Sequence, residues 1–230
     1  MSSLVSIFDD RPYLLGQPRV ATVPEAVRDE SSSQSASLRD EQIQALVEQL
    51  FFRPESCPVR YVGFTASEPP TETAQLCFEV ARALAEEGRY DVGLIDANPS
   101  GVPLQTQLDL ALTAHPETAW PIGPRLWLVP RQNWLPAGQE QQIPEPCFSR
   151  LRELTLEFDF AILCCPSILW LTTRIGRGCD GLVLVLTADK TRRLVAARMK
   201  DLLREAQIPL LGTVLTERRF PVPEALYRKL

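Results

Sequence analysis

Short apolar segments alternate with longer amphipathic segments along most of the chain, and this alternation is the strongest constraint on the fold. The most strand-like segment, Gly181–Thr187 (GLVLVLT), is apolar throughout, as expected for a strand buried on both faces of a sheet. The predicted strands are 60–66, 92–97, Leu126–Val129, 160–165, Gly181–Thr187 and 210–215, and the predicted helices are 39–52, 71–87, 148–157 and 190–206. The pattern predicts an α/β fold, a doubly wound, mainly parallel sheet of about six or seven strands with helices on both faces.

The domain organisation follows from composition. Residues 1–37 are polar and interrupted by proline and serine, so we expect a flexible N-terminal arm. Residues 38–230 carry the alternating pattern and are predicted to form a single α/β domain.

Charge and hydropathy exclude two classes of function. The net charge is −5, so we expect no nucleic-acid partner. No apolar run reaches the roughly 18 residues that span a bilayer, and the N-terminus lacks a signal-peptide pattern. We therefore expect a cytoplasmic protein without direct membrane insertion.

The cysteines do not form a metal-binding pattern. No two of them form a C-x-x-C motif, and the chain has one histidine, His115. We therefore expect no zinc, no Cys-His or Ser-His-Asp catalytic set, and mostly buried, reduced thiols. The six cysteines are Cys57, Cys77, Cys147, Cys164, Cys165 and Cys179.

Ligands of open parallel sheets bind beyond the carboxyl ends of the strands. Here the first strand leads into a segment rich in proline and acidic residues, and the second ends in Ile95-Asp96-Ala97-Asn98. A later strand ends in Cys164-Cys165-Pro166, and the last one is followed by Thr216. The candidate site residues are Ser67, Glu68, Pro69, Pro70, Thr71, Glu72, Thr73, Ala74, Asp96, Asn98, Cys164 and Thr216.

The order and spacing of these segments resemble the MinD/ParA group of P-loop ATPases. More closely, they resemble the bacterial tyrosine kinases of capsule and exopolysaccharide synthesis. The segment VGLIDANP after residue 91 is similar to the family's LLIDAD-P strand end, and CDGLVLVLT is similar to its ADG-x-x-L-V-V strand. The helix at EQIQALVEQL is similar to the family's ring-forming helix, without its two arginines. The resemblance implies a P-loop NTPase-like fold, with ATP and Mg²⁺ as the family's cofactors.

The residues that handle nucleotide in the family are mostly replaced. The G-K-[ST] of the phosphate loop falls near Glu72-Thr73-Ala74, so Thr73 stands for the lysine, and Pro69 and Pro70 offer no backbone N–H to a phosphate. Asp96 remains, but Asn98 and Cys164 replace the other metal-side aspartates, and Thr216 replaces the family's base-side asparagine. We interpret these residues as a vestigial nucleotide pocket without a catalytic residue or bound cofactor.

The sequence therefore suggests an inactive relative of the exopolysaccharide kinases, acting as a scaffold or regulator at the inner face of a membrane complex. Its partner would be a membrane chain-length regulator, an active kinase paralogue or a second copy of itself. One alternative is an atypical ATP-binding ATPase or tyrosine kinase with a rearranged phosphate loop, and another is a MinD/ParA-like positioning protein.

Two of three further features have two interpretations each. Asp96 is either a surviving metal or base residue or a polar strand end with a capping role. Arg174 and Arg177, which we place near the mouth of the site, are either an anion-binding pair or a solvated helix end. Asp189 is a candidate N-cap of the helix that follows it.

Overall fold

The computed structural model describes residues 31–52, 58–66, 72–110, 112, 119–167, 169–188 and 190–216. Side chains are described from Arg39 onward, except that of Leu169. Most of the predicted N-terminal arm, the phosphate-loop segment 67–71, His115, Cys57 and Asp189 lie outside the described residues.

The described strands form one sheet of seven, in the order β3-β4-β2-β5-β1-β6-β7. The strands are β1 (Tyr61–Ala66), β2 (Val92–Asp96), β3 (Trp120–Gly123), β4 (Leu126–Val129), β5 (Phe160–Cys164), β6 (Gly181–Thr187) and β7 (Leu210–Thr216). Every pair is parallel except β3 with β4, which is antiparallel. The predicted doubly wound, mainly parallel sheet is therefore confirmed, and six of its strands lie within about one residue of the predicted bounds.

Helices cover both faces of this sheet. They are α1 (Ser31–Phe51), α2 (Thr73–Glu86), α3 (Leu104–Gln107), α4 (Glu145–Thr155), α5 (Leu169–Gly176) and α6 (Arg193–Glu205). The crossover from β1 to β2 runs toward the β3 edge of the sheet, whereas the crossovers from β4 to β5, from β5 to β6 and from β6 to β7 run toward the β7 edge. Because such crossovers are right-handed, α2 lies on one face and α4, α5 and α6 lie on the other.

Each face has its own apolar core. On the first face, α1 and α2 pack over β1, β2 and β5, and the apolar stripe of α1 (Ile43, Leu46, Val47 and Leu50) is buried there. On the second face, Leu151 and Leu154 of α4, Leu171 and Ile175 of α5 and Leu203 of α6 cover the sheet. No helix in the described part of the chain is both long and apolar enough to cross a membrane.

Several boundaries differ from the prediction for identifiable reasons. Helix α1 begins at Ser31, inside the predicted arm, since 31–38 contain neither proline nor glycine. Helix α4 begins at Glu145 because Pro146 is tolerated in a first helical turn. Helix α6 begins at Arg193 with Arg192 in the N-cap position, so the prediction that Asp189 caps this helix is wrong.

Candidate functional site

Three of the predicted site residues lie at the carboxyl edge of the sheet. Asp96 is the last residue of β2 and is paired in register with Cys164, the last residue of β5. Both belong to the face covered by α2, because the side chains two residues earlier in each strand, Leu94 and Ile162, pack in that core. Thr216 ends β7, four strands away from β2, which corresponds to about 19 Å at ~4.8 Å per strand. The structure thus brings Asp96 and Cys164 together but leaves Thr216 apart.

Asp96 is buried and bonded to its own loop. Only 2% of its surface is exposed. Its Oδ1 accepts a hydrogen bond from the backbone N–H of Asn98 at 3.2 Å, and its Oδ2 accepts one from Leu104 N–H at 3.0 Å. Leu104 is the first residue of α3, so the carboxylate ties the end of β2 to the start of the next helix.

A guanidinium completes the environment of this carboxylate. Arg131 lies in a single 3-10 turn, Arg131–Asn133, that follows β4. Its Nε is 3.7 Å from Asp96 Oδ2, and its Nη1 and Nη2 donate to the carbonyls of Asn98 and Gly101 at 3.4 and 2.9 Å. From the same turn, the indole N–H of Trp134 donates to Asp96 O at 2.8 Å. We call Asp96, Arg131 and Trp134 the β2 clamp, because together they hold the loop between β2 and α3.

The protonation behaviour of Asp96 reflects its burial. Desolvation raises the pKa of this carboxyl above its ordinary value of 3.8, and the Leu104 N–H, Arg131 and the Asn98 N–H oppose that effect. The guanidinium and two N–H groups therefore do not fully compensate the loss of water around the carboxylate.

Beside Asp96, the metal-side position on β5 is occupied by Cys164, whose thiol contacts that of Cys77. Cys164 and Cys77 of α2 are both buried. Burial raises the pKa of the Cys77 thiol well above its ordinary value of 9.0, and its hydrogen bond with Cys164 raises the pKa further. Sulfur is a poor ligand for a hard cation such as Mg²⁺, which prefers oxygen.

The start of α2 is where a phosphate loop would present its lysine. Thr73 begins the helix there, and both Thr73 and Ala74 are buried, each with 6% of its surface exposed. Glu72 occupies the N-cap position without a side-chain capping bond. The preceding Ser67, Glu68, Pro69, Pro70 and Thr71 lie outside the described residues.

The other two predicted positions are satisfied by local bonds. Asn98, at the family's second aspartate position, accepts a bond from Ser100 N–H at 3.3 Å through its side-chain oxygen. The Thr216 hydroxyl donates to Leu186 O at 3.3 Å.

The described residues of the predicted pocket do not fit Mg²⁺ with a nucleoside triphosphate. Both oxygens of Asp96 are engaged by protein donors, and the neighbouring position offers a thiol. Among the described residues, no group of three histidine, cysteine or acidic side chains could hold a metal ion.

Arg174 and Arg177 are not at the mouth of this site, contrary to the expectation. Helix α5 starts just after the carboxyl end of β5 and returns to the start of β6, so both arginines lie toward the opposite edge of the sheet. They line a separate cavity between α4 and α5.

Sequence reasoning missed Arg131, Trp134 and Cys77 as neighbours of Asp96. Arg131 comes two residues after a strand, which is the kind of position that builds sites in parallel sheets. That signal becomes useful only once β4 is known to lie beside β2, which the sequence does not reveal. The expectation of buried thiols is confirmed for Cys77, Cys147, Cys164 and Cys165, while Cys179 is partly buried.

Comparison with known proteins identifies the fold. No protein-family model matches the sequence, and no curated protein matches it significantly. Among solved structures, the VpsO kinase domain is similar with a TM-score of 0.65 and 14% identity, over 82% of this chain and 100% of that one. The BceF tyrosine kinase domain is similar with a TM-score of 0.61 and 20% identity, over 84% of this chain and 90% of that one.

An ATPase shares the same architecture. The ParA family ATPase from Chlorobium tepidum TLS is similar with a TM-score of 0.54 and 18% identity, over 67% of this chain and 71% of that one. All three identities are low, so the similarity concerns the fold. The chain therefore has the P-loop ATPase-like fold of the bacterial tyrosine kinase domains and of the ParA family.

Proposed function

We propose that this chain is a catalytically inactive relative of the exopolysaccharide-biosynthesis tyrosine kinases. It would act as a scaffold or regulator of a polysaccharide synthesis or export complex. Its fold, shared with bacterial tyrosine kinase domains, supports the relationship. The contacts of the Asp96 carboxylate carry the case for inactivity, because this one retained metal-side carboxylate accepts bonds from two backbone N–H groups and lies beside Arg131.

Arg131 occupies the surroundings of Asp96 where a cation would have to bind. A carboxylate that serves a divalent cation needs open coordination positions facing the ligand. In this chain a guanidinium lies beside Asp96 and is itself fixed by two carbonyls, with 12% of its side chain exposed. A cation at Asp96 would have to displace Arg131 and break those bonds.

The proposed partner is another protein, either a membrane chain-length regulator, an active kinase paralogue or a second copy of this chain. Such a partner would place the protein in the cytoplasm, peripherally at the inner membrane. The apolar stripe of α1 is buried in the chain's own core, so a contact through this helix would use its polar side. That side carries Arg39 and Asp40, which already bridge to Glu79 and Arg82 of α2.

The decisive experiment measures binding of ATP and ADP with Mg²⁺, by calorimetry and by thermal unfolding. At millimolar nucleotide, a micromolar Kd would stabilise the protein by about 4 kcal/mol. For a chain of this size that corresponds to a rise in Tm of roughly 10 °C. We expect neither heat nor a shift, and the BceF kinase domain measured in parallel serves as the positive control.

Micromolar binding would favour the alternative, an atypical ATP-binding enzyme with a rearranged phosphate loop. In that case Asp96→Ala should abolish the Mg²⁺ dependence of binding. If nucleotide does not bind, co-purification with the cytoplasmic segments of a chain-length regulator tests the scaffold role.

A further inference from the structure

A separate cavity lies on the face of the sheet opposite α2. It occupies about 480 Å³ between α4 and α5. This volume is within the roughly 300–1,000 Å³ that is usual for small-molecule sites. Its floor is apolar and consists of Leu151 from α4, Leu163 from β5 and Ile175 from α5.

The rim of the cavity carries three arginines. Arg174 forms a salt bridge with Glu145, and its guanidinium lies 4.4 Å from the centre of the Phe148 ring. Its charge is therefore balanced and its position is held. Arg152 and Arg177 also line the cavity, and neither has a carboxylate partner among the residues that the structure describes.

The local charge is opposite to that of the whole chain. The described residues that line the cavity include three arginines and one glutamate, which leaves +2, while the chain carries −5. The neighbouring Arg150 adds nothing to this balance, because it pairs with Glu153 at 3.1 Å. The excess charge belongs to Arg152 and Arg177.

The helix ends cannot supply the attraction for an anion. Thr155, the last residue of α4, and Gly178, just after the end of α5, both line the cavity. The carboxyl ends of helices carry partial negative charge, which disfavours an anion. Binding of an anion here therefore depends on the two guanidinium groups.

We propose that this cavity binds a small phosphate monoester. Its phosphate would lie between Arg152 and Arg177, and its organic part would cover the apolar floor. A phosphate monoester carries nearly two negative charges at neutral pH, which match the two unpartnered guanidinium groups. Arginine presents its N–H donors as a planar fork that suits the tetrahedral oxygens of phosphate.

The test uses phenyl phosphate as the probe, measured by calorimetry on the full chain. Arg152→Gln and Arg177→Gln should each weaken binding roughly tenfold, the loss expected for one charged hydrogen-bonding contact. Arg150→Gln is the matched control, since it removes a paired arginine from the same helix without lining the cavity, and it should leave the affinity unchanged. Inorganic phosphate should bind more weakly than phenyl phosphate because it leaves the floor uncovered.

Three results would overturn the proposal. The first is no binding of phenyl phosphate to the wild-type protein at roughly 10 mM. The second is unchanged binding in the Arg152→Gln, Arg177→Gln double variant, which would place the probe elsewhere. The third is equal affinity for benzoate, which has a single charge. Urea unfolding of each variant verifies that it is folded, and none of these results depends on the nucleotide experiment above.

Discussion

Replacing Asp96 with alanine tests whether the β2 clamp is structural. The substitution removes the acceptor of two backbone N–H groups, those of Asn98 and the buried Leu104. It also leaves Arg131, which is 12% exposed, without its carboxylate. If the carboxylate instead serves to bind a cation, it stabilises the cation-free protein little, and Asp96→Ala should lower the free energy of unfolding only slightly.

The expected cost can be estimated from these contacts. A buried donor left without an acceptor costs about 1–3 kcal/mol, and breaking a buried ion pair costs about 3–5 kcal/mol. Two facts reduce the sum: Arg131 retains its two carbonyl acceptors, and removal of the carboxylate relieves the desolvation that raises its pKa. We therefore expect Asp96→Ala to lower the free energy of unfolding by about 3 kcal/mol.

Urea unfolding followed by tryptophan fluorescence measures this change, and a thermal scan should show a Tm lower by roughly 6–12 °C. Asn98→Ala is the matched control, because its side chain lies in the same loop and accepts one bond from Ser100 N–H. That control should cost no more than about 1 kcal/mol. The structural role would be refuted if Asp96→Ala were neutral or stabilising, since removal of residues kept for ligand binding often stabilises a protein.

Two further predictions concern pH and packing. Because burial raises the pKa of Asp96 in the folded protein, the wild type should lose stability relative to Asp96→Asn as pH rises from 3.8 to that raised pKa. Above the raised pKa, the difference in unfolding free energy between the two proteins should stay constant. A difference that does not change with pH at all would contradict this. Gly63→Ala in β1 should lower the free energy of unfolding in urea by about 2 kcal/mol, because the new Cβ would lie 2.4 Å from Leu182 Cδ2 and 2.9 Å from Cys165 Sγ. The control is Gly123→Ala, whose new Cβ would lie 3.6 Å from Leu126 Cβ and which should cost clearly less.

Much of the sheet could be predicted because its strands are buried on both faces. Such strands are continuous apolar runs, and polar or turn residues mark their ends. Strand β3 was not predicted, because it contains Pro121 and proline disfavours strand formation. Proline is tolerated there since β3 is at the edge of the sheet. The bounds of helix α5 could not be assigned, although a helix end near Arg174 was considered, because eight residues with two adjacent threonines provide little helical periodicity.

The candidate site was only partly predictable, and the reason is topological. Asp96, Cys164 and Thr216 were found because each ends a strand. The strand pattern does not tell which strands are neighbours, so only the family resemblance grouped Asp96 with Cys164. It also grouped Thr216 with them, although four strand spacings, about 19 Å, separate β7 from β2. Cys77, which contacts Cys164 from α2, could not be found without the packing of that helix on the sheet.

The position of Asp96 illustrates why one retained residue of a motif is weak evidence for activity. The same carboxylate at the end of a strand can coordinate a cation through open oxygens or anchor a loop through N–H groups. In this chain Arg131 and Trp134 approach from the turn after β4, while Asn98 and Leu104 donate from the loop after β2. All of these contacts are made by the chain's own groups, so holding the loop after β2 is a sufficient reason for an aspartate at this position. The neighbouring motif positions differ from the family's in chemistry, since Cys164 offers a thiol in place of a carboxylate and Thr73 offers a hydroxyl in place of the lysine ammonium.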